Sequence, residues 1–187
     1  IGFFLIVNVF GLLNVGDFCI SSHLFKNGIQ WKQLHRILTG NLVHGGALHI
    51  LFNSLAMFQL GSTRERQIGT VSMLISSFIM CVLGGLLQVL IGMLFELVKT
   101  GIRNDDALLH QWFAPDLTSG CAVGLSGLLF SLLVIRFSQP EHRNQSMSFL
   151  CCFTVPGFVY PWALLFALAF IPGISFIGHL SGVLVGQ

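Results

Sequence analysis

Ser126 sits in "CAVGLSGLLF", residues 121–130, between Gly124-Leu125 and Gly127, where a loop enters an apolar run. An isolated hydroxyl is a weak nucleophile, and it attacks carbonyls well only when an adjacent base takes its proton. The candidate base is His179, in "SFIGHLSGVLVG" near the end of the chain. His49 and Asn53 are spaced i and i+4, so on a helix they share one face. They are candidate donors to the oxyanion that serine attack creates, beside the free N–H groups of a helix start. The chemistry these residues suit is acyl transfer. No carboxylate is placed to orient His179, so the pair reads as a dyad rather than a triad. It is not the G-x-S-x-G elbow either, because the fifth position is Leu128.

The elements that must hold these residues are membrane helices. The chain has 187 residues, 54% apolar and 9% charged, with mean hydropathy +0.84. A soluble domain carries roughly 25% charged residues. Long runs lack Asp, Glu, Lys and Arg: Ile37–Thr63, Gln67–Phe95, Leu117–Ile135 and Asn144–Gln187. A spanning helix needs about 20 apolar residues. The expected fold is an all-α membrane protein, a bundle of six transmembrane helices with the sixth truncated at the C-terminus. The spans are placed at about 1–20, 43–62, 70–96, 120–136, 147–170 and 173–187, in a single domain over 1–187 that reads as the core of a longer protein. Pro156 and Pro161 are expected to kink span 5.

The loops after spans 2 and 4 carry Arg64, Arg66, Arg136 and Arg143 close to the spans. The opposite face carries Lys26, Lys32, Arg36, Lys99 and Arg103, diluted by Asp105, Asp106 and Asp116. The raw count, four cations against five, does not decide by the positive-inside rule; the short loops of the first face and the dilution of the other tilt the first face to the cytosol. Spans 2, 4 and 6 start from the other face. At 1.5 Å per residue, His49, Asn53, Ser126 and His179 then share a depth on the order of 10 Å below it. Polar groups inside spans are costly, and a shared depth suggests one site. Gly182 and Gly186 follow His179 at i+3 and i+7, a small-residue face that lets a helix approach Gly127 closely.

Taken singly, these residues have simpler readings. Ser126 alone would be a cap, and His179, His49 and Asn53 alone would be interhelical polar glue. The joint pattern reverses that. A metal centre from His44, His49 and His179 is disfavoured, since a spacing of five puts His44 and His49 about 140° apart on an ideal helix. No metal or other cofactor is expected, and no basic run suits nucleic acid. Cys19, Cys81, Cys121, Cys151 and Cys152 show no CxxC spacing and read as small buried hydrophobes rather than a disulfide frame. Glu65 is expected to tie its loop to a helix. Phe52, Phe158, Tyr160 and Trp162 are candidates for a gate between spans 2 and 5, with Phe52 and Trp162 foremost; an aromatic belt explains them equally.

These motifs resemble the rhomboid intramembrane serine proteases over nearly the whole chain. The family's G-x-S-G corresponds to Gly124-Leu125-Ser126-Gly127. Its second-span H-x(4)-H-x(3)-N corresponds to His44, His49 and Asn53, and its last-span motif to Gly178, His179, Gly182 and Gly186. Arg36 and Thr39 match a first-loop W-R-x-x-T in which His35 replaces the tryptophan, with Trp31 nearby. Gly61 and Glu65 match a G-x-x-x-E after span 2. The resemblance implies Ser126 as nucleophile and His179 as base. It also implies an oxyanion hole from Asn53, His49 and the Ser126 amide, with His44 structural at the mouth. The likeness is strongest to six-span eukaryotic rhomboids of the endoplasmic reticulum. That implies transmembrane protein substrates and a site opening to the lumenal or extracellular side. The competing readings are a rhomboid-like pseudoprotease that binds transmembrane clients without cutting, and a channel. Retention of both serine and histidine favours the enzyme. Clustering of the polar residues near one face disfavours a channel.

Overall fold

The computed structural model describes residues 6–7, 14–21, 31–102, 121–149, 153–171 and 173–187. Its helices are α1 (Arg36–Thr39), α2 (Ala47–Ile68), α3 (Thr70–Ile102), α4 (Ser126–Ser138), α5 (Pro140–Arg143), α6 (Tyr160–Ala169) and α7 (Phe176–Gly186). Two short ribbons accompany them. β1 (Ile6–Val7) pairs in parallel with β2 (Val43–His44), and β3 (Ser146–Phe149) pairs antiparallel with β4 (Phe153–Pro156). The described chain is mostly helical.

α2 and α3 turn large apolar side chains outward, as the helices of a water-soluble bundle do not. On α2 the buried residues are Asn53, Met57 and Gly61, one i, i+4, i+8 stripe with one polar, one apolar and one small residue. Leu48, Leu51, Phe52, Leu55 and Phe58 face outward. On α3, Val71, Leu74, Ile75, Phe78 and Ile79 are likewise exposed. Contiguous apolar surface of this extent is not stable against water. Among the described residues, Thr70–Phe95 of α3 is the one stretch both long and apolar enough to cross a membrane, with hydropathy 2.4. α4, α6 and α7 are shorter apolar helices.

α4 is the central element. Leu128, Leu129, Phe130, Ser131, Leu132, Val134 and Phe137 are all buried along it. One face joins Met57, Met73, Met80 and Cys81 from α2 and α3. The other brings Phe130 and Val134 against Leu165 of α6 and Val183 of α7. Small residues set the α4–α7 distance. A Cβ on Gly182 would strike the Gly127 carbonyl, and one on Gly186 would lie 2.6 Å from the Ser131 carbonyl oxygen. The Ser131 hydroxyl stitches the same seam, donating to Gly182 O at 2.8 Å, with Gly127 O 3.3 Å away.

Several expected boundaries shift. The described part of the run at 1–20 is not a spanning helix. Besides β1 it contains a 3-10 turn at Val15–Asp17, whose start Asn14 caps by accepting from Gly16 N at 3.1 Å. Asn, Gly and Asp within four residues favour a turn over a helix. The first half of the expected span 5 is the β3–β4 ribbon, and helix begins only at Tyr160. Pro156 ends a strand and Pro161 occupies the first turn of α6, where its missing N–H costs nothing, so neither proline kinks a helix. α4 starts at Ser126 rather than 120, after Gly124 at φ +109°. α7 starts at Phe176 rather than 173, capped by Ser175, whose Oγ accepts from Gly178 N at 3.1 Å. Glu65 does tie the α2–α3 turn, accepting from Thr70 Oγ1 at 2.8 Å beside Gly69 at φ +83°.

The cysteines also require correction. Cys19 and Cys121 form a disulfide, with Cα atoms 5.2 Å apart. Neither lies in a helix. Each precedes a partner in the antiparallel Ile20–Ala122 bridge, which brings them side by side. Cys81 is the small buried hydrophobe expected of all five; Cys151 and Cys152 lie outside the described residues.

The α4–α7 seam yields a direct test. Gly182→Val puts a branched side chain where a carbonyl now sits. Overpacking of this kind costs about 1–3 kcal/mol. The variant's thermal unfolding midpoint in detergent should fall, whereas Gly84→Ala, which meets open space, should leave it nearly unchanged.

Candidate active site

Ser126 is the first residue of α4, so its amide is one of the unpaired N–H groups of a helix start. His179 is the fourth residue of α7. The glycine seam brings these two helix starts together, and His179 Nε2 lies 2.9 Å from Ser126 Oγ. The His179 ring packs on Phe130, centroids 4.7 Å apart, and is buried with Nδ1 lacking a hydrogen-bond partner among the described residues. Phe130 is four residues after Ser126, hence on the same face of α4. Sequence reading passed over it because phenylalanine in an apolar span carries no signal of its own. Ser131 pins α4 to α7 through its hydroxyl; as a polar residue inside an apolar span at i+5 from Ser126, it carries a signal that points to this seam.

His49 and Asn53 stand one turn apart near the start of α2. They meet the serine segment at Gly124. A Cβ there would lie 2.6 Å from His49 Cε1 and 3.3 Å from Asn53 Nδ2. Asn53 is buried, and its Nδ2 has no hydrogen-bond partner among the described residues. His44 lies before α2, on β2, so the helical separation expected between His44 and His49 does not apply. Their rings meet edge to face, centroids 5.2 Å apart. His44 is buried and bridges two loops: Nδ1 is 3.2 Å from Leu42 O, and Leu125 N donates to Nε2 at 3.5 Å. It thus touches the residue immediately before Ser126.

Arg36 is buried at the start of α1. Its guanidinium donates to Gly16 O, to Gln33 Oε1, and to Cys19 O at 3.4 Å. His35 fills the place where the family motif has tryptophan. Its Nδ1 is 2.8 Å from Lys32 O and its ring meets Phe18 edge-on, while Trp31 is exposed.

Ser126, His179, His49 and Asn53 all line one cavity of about 1220 Å³. Leu48, Phe52 and Ala56 of α2 form one of its walls, and Tyr160, Leu164 and Leu168 of α6 another. Phe52 is exposed on this wall. Trp162 is not among the cavity-lining residues; like Leu164 and Leu168 it packs against the cluster around Phe130, Val134, Leu165 and Val183. Because α6 starts at Tyr160, positions 160, 164 and 168 share the cavity face and 162 turns away.

A helical membrane protein with a serine hydroxyl on an imidazole at the meeting of two helix starts is a narrow class. The rhomboid domain profile matches residues 31–187. Rhomboid-like protein 15 of Arabidopsis thaliana is 34% identical over 156 residues, 82% of this chain and 35% of its own length. Rhomboid-related protein 4 of Mus musculus is 33% identical over 189 residues, 97% of this chain and 53% of its own length. Rhomboid-type serine protease 2 of Saccharomyces cerevisiae is 29% identical over 156 residues, 82% of this chain and 52% of its own length. The chain belongs to the rhomboid family of integral membrane proteins. It spans about half or less of the length of these relatives.

Gly124 gives this site its sharpest test. Its positive φ disfavours any side chain, and a methyl there would also press on His49 and Asn53. Gly124→Ala should lower the rate of fluorophosphonate labelling at Ser126 by about 10²-fold, the scale of small displacements at reacting groups. Labelling at the parental rate would show that His49 and Asn53 do not need this close approach.

Proposed function

We propose that this chain is an intramembrane serine endopeptidase that cleaves transmembrane or membrane-adjacent segments of membrane proteins. The observation that carries the reading is the 2.9 Å approach of His179 Nε2 to Ser126 Oγ inside the cavity between α2 and α6. In this reading Ser126 O–H donates to Nε2, and Nδ1 carries the ring's own proton. Oγ attacks the substrate carbonyl as its proton passes to Nε2. The Asn53 amide, His49 and the Ser126 N–H stabilise the oxyanion. His179 then protonates the leaving amine, and water, deprotonated by the same nitrogen, releases the acyl group. No carboxylate takes part. The ring is held by Phe130 and the α7 backbone instead.

The mainly apolar cavity wall fits a substrate that arrives from the bilayer between α2 and α6, past Phe52 and Tyr160. Residues 1–187 then act as one membrane domain in which α2, α3, α4, α6 and α7 are the membrane elements. The first of the six crossings, expected at 1–20, is not carried by the described residues. The site opens to the lumenal or extracellular side, in the endoplasmic reticulum or another endomembrane. The Cys19–Cys121 disulfide supports that orientation, because disulfides persist on the oxidising side.

Three variants test the chemistry. Ser126→Ala exchanges a hydroxyl for hydrogen and should abolish cleavage and fluorophosphonate labelling while the unfolding midpoint holds. Cleavage by that variant would remove Ser126 as nucleophile. If the parent protein binds transmembrane clients yet never labels or cuts, it is a pseudoprotease scaffold. Asn53→Ala should lower kcat by about 10²–10³ with a much smaller change in KM, as expected of a donor acting in the transition state. A change confined to KM would make Asn53 a substrate-binding residue. Gly182→Val, by parting α4 from α7, should abolish labelling even though serine and histidine both remain.

A further inference from the structure

The segment that delivers Ser126, residues 121–125, has no helix or ladder of its own. Its position is fixed by what it is tied to. Gly124 N donates to Gly40 O at 2.8 Å, and Leu125 N to His44 Nε2 at 3.5 Å. Ala122 and Ile20 exchange two backbone hydrogen bonds, 3.0 and 2.9 Å. Cys121 is bonded covalently to Cys19. The residues holding the other end of this crosslink are themselves anchored. Arg36 donates to Gly16 O and Cys19 O, and Gly40 packs against Ile20 so closely that a Cβ would lie 2.8 Å from its side chain. The polar end of Gln88 on α3 adds a long contact, 3.5 Å from Nε2 to Ile20 O.

We infer that the Cys19–Cys121 disulfide is a positioning crosslink for the nucleophile, fixing the register in which residues 121–125 present Ser126 to His179 and Asn53. This rests on the protease reading above. The crosslink lies five residues before the serine and flanks the Ile20–Ala122 bridge, one of the ties between this strap and the first-loop segment. It joins positions 102 apart in sequence. The hydrogen bonds near it are few and partly long, so they define the register less firmly than a covalent bond. Cys19 is buried, but Cys121 is exposed and lines the cavity, so a small thiol can reach it. A dithiol reductant would supply two electrons and two protons. The S–S bond breaks, two thiols form, and the reductant closes to its own cyclic disulfide. The fold would persist, since Cys19 and Ile20 are buried but neither cluster that packs α2, α3, α4, α6 and α7 together contains a residue from 14–21. The strap would then sample other registers, and the hydroxyl would spend less time at its base.

The test uses the full-length protein, made in secretory-pathway membranes and reconstituted in vesicles. Peptide mass analysis without reduction should find Cys19 joined to Cys121. The dependence of Ser126 labelling on fluorophosphonate concentration is then measured before reduction by dithiothreitol, after it, and after reoxidation. The maximal labelling rate should fall about 10–100-fold on reduction, with little change in half-saturating probe concentration, and recover on reoxidation. Cys19→Ser/Cys121→Ser should match the reduced protein and ignore dithiothreitol. Equal maximal rates in the oxidised and reduced forms would overturn the inference, as would absence of the crosslink. A parallel loss of labelling and of unfolding midpoint, not reversed by reoxidation, would make the crosslink a stabiliser of the fold and also overturn it. If the oxidised parent never labels, the protease reading itself fails and takes this inference with it; the mass analysis distinguishes that case from a missing crosslink.

Discussion

The contact between Gly127 and Gly182 is the constraint on which the rest of this structure depends. No side chain separates α4 from α7 there, and a single added Cβ would meet a carbonyl. Two helices can approach this closely only where both present small residues. The approach brings the starts of α4 and α7 together, and each start carries one member of the Ser126–His179 pair. The Ser131 hydroxyl bonded to Gly182 O locks the same seam one turn further along. A hydrogen bond of 2.9 Å between residues 53 apart in sequence is thus a consequence of helix packing rather than of local chain geometry.

The second requirement is that the backbone before the serine pass close to α2. Gly124 meets it with a positive φ and no side chain, which lets His49 and Asn53 lie against the serine segment. The glycines of the motif therefore do two different things. Gly124 admits the polar face of α2, and Gly127 admits α7. His44 and Arg36 support the arrangement from the first loop, one touching Leu125 and the other gathering the carbonyls of Gly16 and Cys19.

How much of this is legible in the sequence follows from what each feature depends on. The pairing of Ser126 with His179 is legible because polar residues in apolar spans are expensive and stand out against their neighbours. The i+3 and i+7 glycines after His179 point to the seam for a similar reason, as does the i, i+4 pair in α2. Boundaries are less legible. A run of apolar residues at 147–170 does not distinguish a strand ribbon followed by a ten-residue helix from one long span. The Cys19–Cys121 bond is invisible for a different reason. It depends on a tertiary bridge between segments 102 residues apart, and nothing in either local sequence reports that bridge. The face on which Trp162 stands is not legible either: the apolar run does not show where α6 begins, and Trp162 lies about 200° around that helix from the cavity-lining Tyr160.

The outward apolar surface of α2 and its inward Asn53 and Gly61 have one physical origin. In a bilayer, association of apolar faces gains little, because lipid tails are as apolar as leucine. Helices are held by small-residue contact and by polar groups that have nowhere better to go. α2 shows this, with Asn53, Met57 and Gly61 inward and leucines and phenylalanines outward. The same economy bears on the dyad. A carboxylate behind His179 would be a buried charge in a medium that penalises it heavily. Phe130 occupies the His179 ring face instead, and Nδ1 has no acceptor among the described residues. An imidazole held by packing keeps its orientation at no electrostatic cost, but it gains no anionic stabilisation when it accepts a proton. In the proposed mechanism, the charge that develops during attack is met on the oxyanion side. That is where Asn53, His49 and the first turn of α4 are gathered.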